Sequence, residues 1–224
     1  MSVAVLFAGL ALASSARATP LTGQLTSANP NLATQGSGPY GQYDIAYGLS
    51  SCTSSCDSFT VTMTGLNNFV FGDSMITDLN LSSAAGAGTY VPGSGTISLT
   101  QDSGGNVDGF GTFNFILGLS SGAGSGFSTG GYSSFSFTFT TANAVSLSDL
   151  LTVNGNGGNV AAHMALASNT ACTGYASNGT ESSGTTVDNS ACVPQNVPEP
   201  GTLALFAAGL GTLGFALHRK RRRC

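Results

Sequence analysis

Ser120 lies in Gly118-Leu119-Ser120-Ser121-Gly122. This is the Gly-x-Ser-x-Gly spacing that presents a nucleophilic serine on a tight strand-to-helix turn. The apolar residues before it predict the strand, but a Gly/Ser loop from Ser120 to Gly131 follows in place of the helix. A serine nucleophile also needs a histidine base, and the body of the chain offers only His163. His163 alternates with Ala161 and Ala165, opposite Ala162, Met164 and Leu166. That pattern predicts a strand histidine facing away from the core. A chain with 32 glycines produces such matches by composition alone, and no catalytic residue is assigned. Gly36-x-Gly38-x-x-Gly41 mimics a dinucleotide fingerprint but contains Pro39 and lacks a βαβ context.

A histidine-based metal centre needs more than one histidine. Calcium needs only oxygen ligands, and Asp102, Asn106 and Asp108 share one Gly-rich loop. Their spacing departs from the EF-hand register, and turns capped by Asp and Asn side chains are the favoured explanation. Calcium is thus the one cofactor the sequence keeps in view. Among the acids no pair stands out for glycoside hydrolysis. Tyr40, Tyr43 and Tyr47 offer either sugar-stacking faces or packing residues, and the absence of tryptophan favours packing. Cys52, Cys56, Cys172 and Cys192 are an even set. In an oxidising compartment they read as two disulfides. Three pairings are open; Cys52–Cys56 with Cys172–Cys192 is favoured because each links near neighbours. Their x3 and x19 spacings are not those of zinc knuckles.

Charge narrows the partners. Charged residues are only 7% of the chain, and between Thr19 and Val197 there is no Lys or Arg. That span holds eight Asp and Glu181 against no cation, a formal charge of −9. Nucleic-acid binding requires Lys and Arg against phosphate, so nucleic acid is excluded as a partner. Neutral glycans and divalent cations remain. The acidity also keeps an exported protein soluble.

The two ends read as address labels. Val3 to Ala13 is an apolar run of h-region length, and Ala16-Arg17-Ala18 supplies the small-x-small cleavage pattern. Residues 1–18 are therefore read as a signal peptide for the Sec machinery and signal peptidase, although no Lys or Arg precedes the apolar run. At the other end, Gly201 to Leu217 is uncharged. As a helix it is about 25 Å long, at the short end for a bilayer core of about 30 Å. Arg219, Lys220, Arg221, Arg222 and Arg223 follow. Such a cluster stays cytoplasmic, which places the body outside. Before the helix, Pro198-Glu199-Pro200 interrupts regular structure and holds the backbone extended.

Pro198-Glu199-Pro200, the apolar stretch after it and the basic cluster together resemble the PEP-CTERM sorting domain of Gram-negative bacteria. The resemblance covers residues 198 to 223. It implies recognition by an exosortase, a membrane-embedded processing enzyme, transient anchoring in the inner membrane, and delivery to the surface or extracellular matrix beside exopolysaccharide. Cys224, beyond the basic cluster, departs from tails that end in basic residues.

In the body, Phe59, Val61 and Met63 alternate with Thr60, Thr62 and Thr64, and Phe135, Phe137 and Phe139 alternate with Ser136, Thr138 and Thr140. Ile97 and Leu99 alternate with Thr96, Ser98 and Thr100. Each pattern predicts a strand with one apolar face. Further strands are expected near Ile45, at 68–71, 111–117, 145–147 and 159–166, with Gly/Ser/Asn loops between them. The expected fold is all-β, an antiparallel β-sandwich or jelly roll over 19–172. A disulfide-closed polar tether over 173–197 and the sorting signal over 198–224 complete the chain. Gly109 to Leu166, notably Phe110-Gly-Thr-Phe113 and Ala161-Ala-His163, is also similar to β-rich ectodomains of other PEP-CTERM proteins. The function these readings imply is that of an exported structural or adhesive matrix protein; the alternative is a glycan-binding module, with or without calcium.

Overall fold

The computed structural model describes residues 18–49, 52–72, 75–120, 125–182 and 192. All of them fall in one compact unit, Met1–Cys192. Strand β1 (Leu21–Leu25), β3 (Gly41–Tyr47), β4 (Cys56–Gly65), β12 (Ser134–Val145) and β7 (Gly88–Tyr90) form an antiparallel sheet in the order β1-β3-β4-β12-β7. The pairing of β4 with β12 sets Phe59, Val61 and Met63 directly opposite Phe139, Phe137 and Phe135. Opposed residues share a face, so this register gathers six apolar side chains on one side and the hydroxyl residues on the other.

A second antiparallel sheet runs β2 (Ser27–Ala28), β14 (Asn169–Ser177), β13 (Val160–Leu166), β6 (Thr77–Leu79), β11 (Phe115–Leu119) and β8 (Leu99–Asp102). Strand β5 (Phe69–Phe71) also pairs with β13. The two sheets share one hydrophobic cluster. Phe115 of the second sheet meets Phe139 of the first at 5.0 Å between ring centroids, and Phe71 meets Phe135 edge-on at 5.2 Å. The described residues are therefore mostly antiparallel β-structure, with the main core between sheets, as the alternating phenylalanines predict.

The second sheet is covered on its other face too. Ile116 and Ala161 pack there with Val107, Phe110 and Phe113 of a separate hairpin, β9 (Gly105–Val107) and β10 (Gly111–Phe113). Val70 and Ala165 pack there with Phe127.

Without cations in the body, side-chain amides do much of the fastening. Gln101 accepts from Tyr90 N at 2.7 Å and donates to Gly88 O at 2.8 Å. It thereby links edge strand β8 to edge strand β7 across the two sheets. Asn114 does the same for Leu81, with both bonds at 2.8 Å. Asn29 caps the one-turn helix α1 (Pro30–Ala33), accepting from Leu32 N and also from Tyr175 N. Gly174 makes that approach possible, since a methyl group there would strike Asn29 Oδ1 and Leu32 N. Each amide satisfies backbone groups that burial would otherwise leave costly.

Several elements differ from the sequence reading. The strand expected through 111–117 is broken at Asn114, whose side chain turns to Leu81. Leu147 begins a one-turn helix, α3 (Leu147–Leu150), capped by Ser146. Another, α2 (Ser125–Ser128), interrupts the loop expected from Ser120 to Gly131. Thr96 runs beside β12 but joins it through its hydroxyl and one backbone bond, so β8 starts only at Leu99. Strand β14 crosses the expected domain boundary at 172–173. Its small residues are buried by β13 and β2. Among the described residues no helix is long and apolar enough to cross a membrane; the helix expected at 201–217 lies outside them.

Candidate functional site

The two disulfides are Cys52–Cys56 and Cys172–Cys192. The second ties residue 192 to β14, and Thr34 Oγ1 donates to Cys192 O at 3.0 Å. The body's C-terminal end is thus held by one covalent link and one hydrogen bond.

The chemical candidates are kept apart. Ser120 closes β11, and its hydroxyl donates to Ser98 O at 3.3 Å. His163 sits on β13, on the face opposite the main core as expected, but that face is not solvent. The residue is 8% exposed, stacked on Tyr175 at 4.5 Å and met edge-on by Phe127. His163 is buried there although it faces away from the main core, because the second sheet is packed on both sides.

Tyr40 and Tyr43 are each 5% exposed. Burial pushes both phenols above their ordinary value, with hydrogen bonds opposing the shift. Tyr43 accepts a hydrogen bond from Asn178, while Tyr47 packs on Phe59 and donates to Ser54 O. The three tyrosines do not form a sugar-stacking platform. Tyr40 and Tyr43 are buried packing residues, whereas Tyr47 is only partly buried at the edge of the core.

Asp102 is exposed at the end of β8, opposite Ile116, and Asn106 pairs with Thr112 in the hairpin. Asp108 follows β9 and accepts from Asn29 Nδ2 at 3.3 Å. The Glu181 carboxyl is raised by burial and then by the Asp108 charge. Among the described residues no group of three or more His, Cys, Asp or Glu is placed to hold a metal ion.

The sequence reading missed Asp78. It is fully buried in β6, neither carboxyl oxygen has a hydrogen-bond partner, and burial raises its pKa well above the ordinary value. Thr77 beside it is also fully buried, with an unpartnered hydroxyl. A three-residue strand carries too little alternation to be read from sequence.

The outward face of the five-stranded sheet is regularly polar. Thr22, Asp44, Thr62 and Ser136 form one cross-strand row; Gln24, Gln42, Thr64 and Ser134 form the next. Thr60 and Thr138 oxygens lie 3.2 Å apart in a third row. The face has one carboxylate and no cation, and it is set by the same period-2 pattern that builds the core.

Ala18, the expected cleavage residue, is half-buried at the start of the described residues, whereas Ala16, Pro198, Glu199, Pro200 and Arg219 to Arg223 lie outside them. Residues 196–222 match the family model of the PEP-CTERM protein-sorting motif. The chain carries a PEP-CTERM sorting domain. No curated protein and no solved structure matches it. The PEP-CTERM motif marks a chain for export, processing by an exosortase-type enzyme, and delivery to the cell surface or extracellular space. The body in front of it is a disulfide-bridged, all-β unit.

Proposed function

We propose that this is a non-enzymatic structural or adhesive component of an extracellular polysaccharide matrix, a β-sandwich exported by signal peptide and released or re-anchored by exosortase processing. The PEP-CTERM match at residues 196–222 carries the reading. In this reading the uncharged segment 201–217 serves as a transmembrane anchor that, with the basic residues behind it, holds the precursor in the inner membrane until it is processed. The hydroxyl and amide rows on the five-stranded sheet support the matrix role, because such groups exchange hydrogen bonds readily with hydrated glycans. The charge of −9 without a cation supports calcium as a bridge between carboxylates and anionic glycans.

Replacing Pro198, Glu199 and Pro200 by Ala tests the sorting step. The variant should accumulate in the inner membrane while the parent reaches the surface; equal distribution of both defeats the proposal. The matrix role is tested in a host unable to make exopolysaccharide, where the protein should move from the cell-associated matrix into the medium. Unchanged partitioning there contradicts it. Calcium titration without binding at millimolar levels removes the bridging role.

A further inference from the structure

Strand β6, Thr77-Asp78-Leu79, is buried along its whole length. Leu79 points into the main core, so alternation sends Asp78 to the opposite face. Its register partners are Ile116 and Ala161. Both belong to the cluster closed over by Val107, Phe110 and Phe113 of the β9–β10 hairpin. Asp78 therefore lies beneath that hairpin, with no hydrogen-bond partner for either oxygen. No Lys or Arg exists between residues 19 and 197 to neutralise it. A lone carboxylate in such a place is strongly disfavoured relative to the neutral acid.

The cover is slight. Strands β9 and β10 have three residues each and pair only with each other, an arrangement with marginal stability of its own. Besides its apolar side chains, the hairpin is held by Asn154 donating to Phe110 O and Thr112 O, by Asn156 and both the hydroxyl and the N–H of Ser182 donating to Gly109 O, and by Asn29 donating to Asp108. Its turn carries Asp108, which repels Glu181.

We propose that the β9–β10 hairpin is an acid-closed flap: it seats on the sheet while Asp78 is protonated, and ionisation of Asp78 loosens it and uncovers Ile116 and Ala161. The surrounding groups act in the same direction. Strand β11 brings no titratable residue, and β8 brings Asp102. The hairpin brings Asp108, and Glu181 faces it from beyond β14. Strand β13 brings His163, and β14 brings Tyr175 stacked upon it. Rising pH adds negative charge at Asp78 and Glu181, and no Lys or Arg of the body offsets it. Asp78 and Glu181 both have raised folded values. Their stabilising contribution is complete below the ordinary carboxyl values of 3.8 and 4.5 and is lost as pH rises through the folded values.

The test is hydrogen exchange of the detergent-solubilised full chain between pH 4 and pH 8, read on peptic peptides and expressed as protection factors. Protection over 105–113 should fall roughly tenfold for each unit by which the Asp78 pKa is raised, while the β4–β12 pair keeps its protection. Asp78→Asn should flatten the dependence, and Asp78→Leu serves the same purpose if the amide does not fold. Glu181→Gln should reduce the dependence only in part, and His163→Gln should leave it in place. A hairpin whose protection does not change with pH, a dependence that survives both Asp78 variants, or one abolished by His163→Gln overturns the proposal.

Discussion

Thr77 and Tyr43 show how one side chain's surroundings decide its role. The Thr77 hydroxyl is buried without a partner. Thr77→Val, which keeps the shape and removes the polar atom, should raise stability by about 1 kcal/mol in urea denaturation. Tyr43 has the composition of a sugar-stacking residue, but it lies between the sheets at 5% exposure. Tyr43→Ala should therefore cost about 3 kcal/mol of stability, in the range of buried aromatic truncations. Any loss of glycan binding in that variant should track unfolding. Sequence alone leaves both tyrosine readings open, because the period-2 pattern says which residues share a face but not what covers it. For His163 the same limit applies: its side of the strand is legible, whereas the hairpin and Phe127 that cover that side come from distant segments.

At the scale of elements, the body replaces ion pairs with amide side chains that imitate a neighbouring strand. Gln101 satisfies both edge groups of β7 in one stroke. Gln101→Ala should cost about 2 kcal/mol by leaving those groups without their partner, and exchange protection should fall at Gly88 to Tyr90 more than elsewhere. The Cys172–Cys192 bridge closes a longer loop than Cys52–Cys56. Its removal in the Cys172→Ala, Cys192→Ala double variant should cost about 3 kcal/mol, against about 2 kcal/mol for the shorter loop. Strands β4 and β12 are legible in the sequence because they are long and alternate cleanly, and β13 because it is a nearly continuous apolar run of seven residues. Strands β6, β7 and β9 have three residues each and lack the length for a pattern. Strand β14 is rich in small and polar residues and is a strand because β13 and β2 pair with it. The one-turn helices are set by caps such as Asn29 and Ser146, with no periodicity to announce them.

For the molecule as a whole, the separation of charge and the order of segments express the same logic. The cations sit at the ends with the address labels, and the body keeps only acids. Because the Asp78 and Glu181 carboxyls are raised by burial, protonation favours the folded state. Global stability should be higher near pH 5 than near pH 8, and Asp78→Asn should shrink that difference in thermal unfolding. The destination of the chain is legible from the last residues of the sequence, while the body's ligand is not, since packing has absorbed the residues that looked most suited to binding. The central claim is sorting through the PEP-CTERM tail, and intact mass of the protein from membrane and culture-supernatant fractions of its native host tests it most directly. Trypsin finds no Lys or Arg between residues 19 and 197, so the undigested protein is the right analyte. A species beginning at Thr19 and ending near Pro198 to Pro200 is the predicted result. A species that retains Gly201 to Cys224 and stays in the inner membrane would contradict the account, leaving the tail as an anchor alone.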